Sequence, residues 1–340
     1  MNGSLPLVIA EAGVNHNGDA ARAKEMVHVA AEAGADYVKF QAFRAESLAA
    51  PGAATADYQR QNAGARDQQA LLRALELDLE EFAELAEECT RVGTGFLVTP
   101  FDRDMAAPLV EMGMDRIKVP SGDLTNLPML EDLAGFGLPM IVSTGMATEA
   151  EVGASLAALH RVGASDVTLL HCTSLYPAPP AAINLRAMET MRQKFQMPVG
   201  YSDHSLGDHV AIAAVALGAT VIEKHFTLDR ALAGPDHAAS LEPGELRTMI
   251  ERLRETAEVL GDGIKRPAAG EAEVARLVRR SWHARDDLAA GTLLTGDHMV
   301  LKRPGDGLPP DCPPIDRRLQ RAVVADAPIR ESDLGTETGS

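Results

Sequence analysis

Short runs rich in valine and isoleucine alternate with segments of helical periodicity along the first three quarters of this 340-residue chain. The runs are Leu7–Glu11, Tyr37–Gln41, Gly95–Thr99, Arg116–Pro120, Pro139–Ser143, Val167–His171, Pro198–Ser202 and Val221–His225. The helical segments between them include Ala20–Ala33, Glu80–Val92, Glu149–Val162 and Gly207–Leu217. Strict alternation of strand and helix predicts parallel strands joined by right-handed crossovers.

A glycine stands near the end of several predicted helices, just before the next strand, as at Gly34, Gly113, Gly163 and Gly218. Glycine there supplies the left-handed cap that turns the chain back into a strand. Eight such units predict a (β/α)8 TIM barrel over residues 1–262. A doubly wound open sheet is the alternative, but it usually has a GxGxxG loop after the first strand, which this chain lacks.

The pattern changes at Gly261–Pro267, which indicates a domain boundary. Residues 263–280 are expected to form a linker with a short charged helix, Glu271–Arg280. Residues 281–340 contain short strand-like pieces such as Leu319–Val324 between Pro- and Gly-rich turns, and they predict a small β-rich domain. Because such a module is near the lower limit for independent folding, we expect it to rest on the barrel or on a second subunit.

One connection in the barrel is unusually long. The segment between Phe43 and the helix that starts near Leu79 is rich in alanine and glutamine, from Arg44 to Leu77. Long connections at this end of a barrel are often functional lids, and a solvated loop is the alternative interpretation.

Charge and cysteine content restrict the class of partner. Asp and Glu outnumber Lys and Arg by 49 to 32, a net charge of −17, which argues against nucleic acid. A small anionic substrate remains compatible with this charge, since a few lysines in a cleft can reverse the electrostatic field locally.

The widely spaced Cys89, Cys172 and Cys312 predict a reduced protein without disulfides. With no signal-peptide pattern and no membrane-length apolar run, we expect a cytoplasmic protein that does not bind membranes.

Polar residues follow or end every predicted strand. In a TIM barrel the catalytic groups lie at the carboxyl ends of the strands. The ring comprises Glu11, Lys39, Gln41, Thr99, Lys118, Ser121, Ser143, Thr144, Thr173, Ser174, Tyr176, Ser202, Asp203, His204, Glu223 and His225. A single such residue is interpreted as a loop cap, whereas a full ring predicts an active site.

Two histidines end neighbouring strands of this predicted barrel. His204 and His225 follow the seventh and eighth runs, and adjacent strands lie about 4.8 Å apart, so both imidazoles can reach one ion. A lone histidine would be interpreted as a hydrogen-bonded loop residue. The pair predicts a hard or borderline divalent ion with oxygen and water as further ligands, for which manganese or magnesium is suitable.

Two lysines lie within apolar strands. Lys39 and Lys118, with Thr99, Ser121 and Ser143 nearby in the ring, predict a pocket for carboxylate and phosphate groups. The alternatives are lysine stems that extend to solvent and a Schiff-base lysine.

Other candidate residues are less specific. Glu11 ends a strand, where burial would be costly without a role. Asp236, in the loop Gly234–Pro243, is a candidate for binding sugar hydroxyls. Arg303 lies beside a Pro-Gly turn in the small domain, where an exposed arginine is the ordinary interpretation.

A set of motifs resembles the sialic acid (nonulosonate) synthase family. In chain order these are IAEAGVNHNGD, VKFQAF, VTPFD, KVPSGD, STGMAT, LLHCTSLYP, GYSDHS, EKHFTLD, GPDHAASLEP and KRPGDG. The resemblance implies a TIM barrel, a C-terminal antifreeze-like (SAF) domain and a domain-swapped homodimer. It also implies condensation of phosphoenolpyruvate with an amino-sugar aldose, through cleavage of the C–O bond of phosphoenolpyruvate and release of phosphate.

The same resemblance implies residue roles. His204 and His225 would hold a divalent metal, with manganese expected and magnesium or cobalt as alternatives. Lys39, Lys118, Thr99, Ser121, Ser143 and Ser202 would surround phosphoenolpyruvate, with Gln41 close by. Glu11, Asp123, Tyr176 and Asp236 would face the sugar, and Arg303 would reach it from the other subunit.

Two positions depart from typical N-acetylneuraminate synthases. Asp123 stands where that branch has a glutamate, and Ser174, expected to contact substrate, stands where it has an asparagine. These changes favour the legionaminic acid branch, whose aldose is 2,4-diacetamido-2,4,6-trideoxymannose in place of N-acetylmannosamine. A pseudaminic acid synthase, a Schiff-base aldolase and a non-catalytic sugar-binding barrel remain alternatives.

Overall fold

The computed structural model describes residues 5–55, 60 and 67–335 of the chain. Contacts divide the chain into two compact units, Met1–Asp262 and Gly263–Ser340. Within the described ranges, no helix is both long enough and apolar enough to cross a membrane.

The first unit is built on eight parallel strands. They are β1 (Leu7–Gly13), β2 (Tyr37–Ala42), β3 (Gly95–Pro100), β4 (Ile117–Val119), β5 (Met140–Ser143), β6 (Val167–Cys172), β7 (Val199–Asp203) and β8 (Val221–His225). The hydrogen-bonded order is β3-β2-β1-β8-β7-β6-β5-β4, and β3 packs beside β4. Each predicted run overlaps one strand, and the predicted (β/α)8 barrel is confirmed.

Helices connect successive strands on the outside. Among the described residues of the first unit, the helices are Ala20–Ala33, Ala45–Leu48, Gln68–Arg73, Leu79–Val92, Arg103–Glu111, Leu127–Ala134, Glu149–Arg161, Pro180–Ile183, Ala187–Phe195, His209–Ala216 and Pro243–Leu260. Capping boxes at Asp78 and Thr148 satisfy the first backbone amides of two of these helices. The predicted cap glycines Gly34, Gly113, Gly163 and Gly218 all have a positive φ, as a helix-to-strand turn requires.

The core lies between the strands and this helical layer. Val8, Ile9, Val38 and Leu97 are fully buried, and each such side chain contributes about 1.5–3 kcal/mol by leaving water. Gly200 allows β7 to approach β8, because a Cβ atom at this position would lie 2.4 Å from the carbonyl oxygen of Val221. Close packing of the strands places their carboxyl ends in one ring.

The described part of the long connection after β2 contains a packed helix. Its helix Gln68–Arg73 carries Leu71, which joins Leu75, Val14 and Phe43 in a small apolar cluster. This part of the connection is therefore packed and is not a solvated loop. The remainder of the predicted lid, residues 56–59 and 61–66, lies outside the described residues.

The second unit has its own core. Strands β9 (Ser281–Ala284) and β10 (Met299–Lys302) pair antiparallel, and a helix spans Glu271–Val278. The core comprises Ala284, Leu288, Leu294, Met299, Leu308, Leu319, Val323, Ile329 and Leu334. The strand-like piece Leu319–Val324 is not a continuous strand, because Leu319 bridges to Leu334 while Val323 bridges to Leu288.

Candidate active site

The carboxyl ends of the barrel strands enclose a cavity of about 330 Å³. Its lining contains most of the predicted site residues: Glu11, Lys39, Gln41, Thr99, Lys118, Ser121, Ser143, Ser174, Tyr176, Ser202, His204 and His225. They converge because side chains alternate along a strand, so one set of each strand faces the interior. Most of the predicted ring of polar strand ends therefore converges on one cavity, whereas its members Thr144, Thr173 and Asp203 do not line that cavity.

Two buried lysines lie at the base of this cavity. Lys39 Nζ donates a hydrogen bond to Thr99 Oγ1 at 3.0 Å and lies 2.7 Å from Glu11 Oε2. Lys118 Nζ donates to Ser143 Oγ at 2.8 Å. The lysines do not extend to solvent, since Lys39 is 3% and Lys118 is 2% exposed. Their ammonium groups face hydroxyls and carboxylates inside the cavity, an arrangement suited to binding an anion.

Glu223 is the buried residue that links the two lysines. Its carboxylate oxygens lie 3.7 Å from Lys39 Nζ and 3.7 Å from Lys118 Nζ, and Ser202 Oγ donates to Oε1 at 2.8 Å. The sequence places Glu223 in the ring of strand ends but does not predict this bridging position. The available signal is spacing: Glu223 and His225 are two residues apart on β8, so both face inward.

The environment of the lysine–glutamate cluster gives its two carboxyl groups different pKa values. Burial raises the pKa of Glu11 to about 7, although Lys39 opposes the shift. Burial acts in the same direction on Glu223, but Lys118 and Lys39 together lower its pKa to about 2. Glu11 is therefore the carboxyl group in the cavity that can exchange a proton near neutral pH.

The predicted histidine pair is brought together at the cavity wall. The ring centroids of His204 and His225 are 5.6 Å apart. His204 Nδ1 lies 2.8 Å from the carbonyl oxygen of Thr173, so Nδ1 carries the proton and the lone pair is on Nε2. Tyr176 Oη lies 3.1 Å from this Nε2 atom, and the two rings stack. Burial lowers the pKa of both histidines, which favours the neutral, metal-binding form.

These residues fit a divalent ion with few protein ligands. His225 Nδ1 is buried without a hydrogen-bond partner in the described part of the chain, and Asp236 Oδ2 lies 4.0 Å away. Among the residues that the structure describes, no group of three or more His, Cys, Asp or Glu side chains is arranged to hold a metal. Two imidazoles with open oxygen positions suit an ion that keeps waters and accepts substrate oxygens.

Three further predicted residues, none of them in the ring of strand ends, also lie outside the cavity lining. Asp236 is buried beside His225, and burial raises its pKa to about 6. Asp123 ends the short 3-10 helix Ser121–Asp123, where it is half-buried. Arg303 is exposed and belongs to the second unit.

A close approach between loops shapes one wall of the cavity. Gly145 N donates to Ser121 Oγ at 3.0 Å, and Ser121 Oγ also lies 3.0 Å from Cys172 Sγ. A Cβ atom at position 145 would lie 2.3 Å from Ser174 Oγ, so a larger residue would force the Ser174 side chain to move. Cys172, Phe101 and Met146 also line the cavity, and the sequence did not predict them as site residues.

The chain matches the NeuB family model over residues 26–265 and the SAF domain model over residues 279–335. An N,N'-diacetyllegionaminic acid synthase of Campylobacter jejuni is 44% identical over 305 residues, which are 89% of this chain and 91% of that protein. The crystal structure of an N-acetylneuraminic acid (sialic acid) synthetase from Leptospira borgpetersenii in complex with citrate has a TM-score of 0.71 and 35% identity. The match covers 80% of this chain and 90% of that one.

A pseudaminic acid synthase of Helicobacter pylori is less similar, with 29% identity over 332 residues, 97% of this chain and 98% of that protein. The SAF match confirms the predicted antifreeze-like domain. The motif-based resemblance to sialic acid synthases is likewise confirmed. Since the family model covers most of the barrel and the relatives align over nearly the whole chain, this protein belongs to the NeuB family.

Proposed function

We propose that this chain condenses phosphoenolpyruvate with an N-acylated mannosamine-type aldose and water. A C–C bond forms between the methylene carbon of phosphoenolpyruvate and the aldehyde carbon of the sugar. Water adds at C2, the C–O bond to phosphate breaks, and a nine-carbon sialic-acid-like sugar and phosphate are released. The observation that carries the proposal is the pair of buried lysines facing a cavity that two imidazoles also line.

Lys39 and Lys118 would bind the carboxylate and phosphate of phosphoenolpyruvate. Both ammonium groups are buried, so their attraction for an anion is weakly screened by solvent. The hydroxyls of Thr99, Ser121, Ser143 and Ser202 line the same cavity and can donate to the remaining substrate oxygens. This set orients the substrate and stabilises charge that moves to the leaving phosphate.

Glu11 would move the proton that the attacking water loses. Its carboxyl group lines the cavity beside Lys39, and its pKa of about 7 suits a group that accepts and returns protons near neutral pH. Gln41 Nε2 donates to Glu11 Oε1 at 3.3 Å and helps to fix the orientation of the carboxyl group. The neighbouring Lys39 stabilises the anion that Glu11 becomes when it loses its proton.

His204 and His225 would hold a divalent ion, for which manganese is the first expectation and magnesium or cobalt are the alternatives. When bound, such an ion supplies Lewis-acid polarisation of the aldehyde oxygen. Tyr176 stacks on His204 and would orient both the imidazole and the sugar. Asp236, 4.0 Å from the His225 ring, would bind a sugar hydroxyl.

For the sugar, we propose 2,4-diacetamido-2,4,6-trideoxymannose ahead of N-acetylmannosamine. The 44% identity to a protein named as an N,N'-diacetyllegionaminic acid synthase supports this order. Asp123 and Ser174 support it as well, because they replace the longer residues of the N-acetylneuraminate branch. The identity to a pseudaminic acid synthase is only 29%, so the aldose used by that branch of the family is the lesser candidate.

For assembly, we propose a domain-swapped homodimer in the cytoplasm, in which Arg303 acts on the partner's sugar. The helix Glu271–Val278 has no buried residue, and it exposes Val274, Leu277 and Val278 on one face. An apolar stripe of this kind is suited to a protein partner. The cytoplasmic assignment is supported by three free cysteines, Cys89, Cys172 and Cys312.

Phosphate release with an aldose panel tests the proposed reaction. We expect release with phosphoenolpyruvate, Mn²⁺ and the diacetamido sugar, weaker release with N-acetylmannosamine, and none with mannose. Phosphoenolpyruvate carrying oxygen-18 in its bridging position should transfer the label to phosphate, as C–O cleavage requires. Borohydride trapping of a substrate–lysine adduct would indicate a Schiff-base aldolase instead. Sugar binding without phosphate release would indicate a non-catalytic barrel.

A further inference from the structure

A second buried ion pair lies directly behind the two histidines. Lys224 Nζ is 2.9 Å from Asp203 Oδ2, and both side chains are 0% exposed. Asp203 is the residue before His204, and Lys224 is the residue before His225. The pair therefore connects the ends of β7 and β8, directly beside the positions of the two histidines.

The direction of the side chains follows from strand alternation. Ser202 and Glu223 face the cavity, so the next residues, Asp203 and Lys224, face the outer side of the barrel wall. Asp203 and Lys224 are also register partners on the two strands. The ion pair is thus on the opposite side of the wall from the substrate, and it cannot contact the substrate.

The pair also fixes the backbone around His204. Asp203 Oδ1 accepts hydrogen bonds from Ser205 N at 2.8 Å and from Ser205 Oγ at 2.7 Å. Lys224 Nζ donates to the carbonyl oxygen of Ser205 at 2.5 Å. The residues on both sides of His204 are therefore held to β8 through Lys224, and rotation of the peptide units next to His204 would break these bonds.

Stabilisation alone is a weak explanation for a buried ion pair. Transfer of two charges out of water is costly, and an apolar pair of similar volume is often as stable or more stable. Outer groups that orient metal ligands, in contrast, have a measurable effect on metal affinity. The position of this pair, one residue before each histidine, matches that second role.

We propose that Asp203 and Lys224 are positioning residues that hold His204 and His225 at the depth and separation at which both imidazoles bind one divalent ion. This inference rests on the proposed function, because it assumes that the two histidines bind the metal. Neither residue is expected to touch substrate or metal.

Three variants of the pair test the proposal: Asp203→Asn, Lys224→Met and the double variant that carries both changes. The double variant removes both charges, so it leaves no unpaired buried ion and is the form most able to fold. Mn²⁺ affinity is measured by electron paramagnetic resonance of free Mn²⁺, and Co²⁺ coordination by visible absorption. Each variant is first shown to be folded by circular dichroism and thermal melting.

Two further variants are the controls. Ser155→Ala removes a buried hydroxyl that donates to Leu124 O at 2.7 Å, far along the chain from both histidines. It perturbs the barrel without touching β7 or β8, so it should leave Mn²⁺ affinity unchanged. His204→Ala removes a proposed ligand and should abolish the site.

We expect the folded pair variants to bind Mn²⁺ about 10- to 100-fold more weakly than the wild type, with altered Co²⁺ absorption. The double variant should recover melting temperature without recovering metal affinity, which a purely structural role does not predict. A folded pair variant with Mn²⁺ affinity within about twofold of wild type overturns the positioning role. If none of the three variants folds, Ser205→Ala decides: weaker Mn²⁺ binding supports the proposal and unchanged binding overturns it.

A different pattern of Mn²⁺ binding would show that the two histidines do not form a metal site. Wild-type protein that binds no Mn²⁺, or a His204→Ala variant that still binds it, overturns the site itself and the positioning role with it. If Mn²⁺ binding is lost in His204→Ala but is unchanged in the Asp203 and Lys224 variants, the metal site stands and only the positioning role is overturned.

Discussion

Lys39 Nζ and Glu11 Oε2 are 2.7 Å apart, and their side chains are only 4% and 2% exposed. The two residues are register partners on β2 and β1. Such a pair neutralises a buried lysine, and an anionic substrate that approaches Lys39 must compete with Glu11. Substrate binding and the state of the Glu11 carboxyl group are therefore coupled through a single contact.

The coupling predicts a selective defect in Glu11→Gln. The amide keeps the size of the side chain but cannot accept the proton from water, so kcat should fall about 10²- to 10⁴-fold. The KM for phosphoenolpyruvate should fall modestly, since Lys39 and Lys118 remain and Lys39 no longer faces a competing carboxylate. Steady-state phosphate release measures both constants. Glu131→Gln, on an outer helix, is the matched control, and equal kcat in the two variants would contradict a proton-transfer role for Glu11.

Removal of the metal is the second prediction. Excess EDTA should abolish phosphate release and Mn²⁺ should restore it, because both imidazoles line the cavity and their burial favours the neutral, metal-binding form. His204→Ala and His225→Ala should lose bound metal while keeping their melting temperature near that of wild type. His160→Ala, an exposed histidine at the end of the helix Glu149–Arg161, should behave as wild type. Full activity in excess EDTA would show that the reaction does not require a metal ion.

The barrel is predictable from the sequence because its signals are local. Apolar runs of strand length, helical periodicity and cap glycines such as Gly34 each depend on a few neighbouring residues. The convergence of His204 and His225 also follows, since consecutive strands of a barrel are neighbours. These features give the fold and the ring of polar strand ends without knowledge of any distance.

The partners of the charged groups are harder to predict. Glu223 bridges Lys39 and Lys118 across strands that are far apart in the chain, and only the curvature of the closed barrel sets those distances. Likewise, Asp123 lies in the same motif as Ser121 and Gly122, yet these two residues of the 3-10 turn line the cavity and Asp123 does not. In the small unit, single bridges at Leu319 and Val323 replace the strand that the apolar pattern suggested.

Two glycines near the cavity provide a matched pair for the third prediction. A Cβ atom at Gly145 would lie 2.3 Å from Ser174 Oγ and 2.8 Å from Cys172 Sγ, whereas one at Gly122 would meet nothing within 4 Å. Gly145→Ala should therefore displace the wall of the cavity and lower kcat/KM about 100-fold. Gly122→Ala adds a methyl group to the cavity lining without displacing a protein atom, so it should keep the wild-type melting temperature and lose less activity than Gly145→Ala. Equal activity in the two variants would show that the wall around Gly145 does not shape the substrate site.

Thiol reactivity is the fourth prediction. Cys312 is exposed, while Cys89 and Cys172 are buried, and burial raises the pKa of both buried thiols. A thiol reagent should modify one cysteine rapidly in the native protein and all three after denaturation. Phosphoenolpyruvate should further slow modification of Cys172, which lines the cavity. A stable disulfide in freshly purified protein would contradict the proposed cytoplasmic location.

Arg303 provides the last prediction, because it tests the proposed exchange of domains between subunits. Its guanidinium can form charge-assisted hydrogen bonds to an acyl carbonyl of the sugar, each worth about 1.5–3 kcal/mol. Arg303→Ala should therefore raise the KM of the aldose far more than that of phosphoenolpyruvate. Arg318→Ala, in the same unit but outside the family motif, is the control and should leave both constants unchanged.

The decisive form of this test mixes Arg303→Ala and His225→Ala and allows their subunits to exchange. It is run at an aldose concentration far below the raised KM of Arg303→Ala, where each variant alone has little activity. If Arg303 acts on the partner's barrel, one site of each mixed dimer combines an intact His225 with an intact Arg303, so activity partly returns. If Arg303 acts on its own barrel, every site keeps one defect and no activity returns. Exchange is verified by mass spectrometry with one variant isotopically labelled, and verified exchange without recovery of activity would exclude the swapped arrangement.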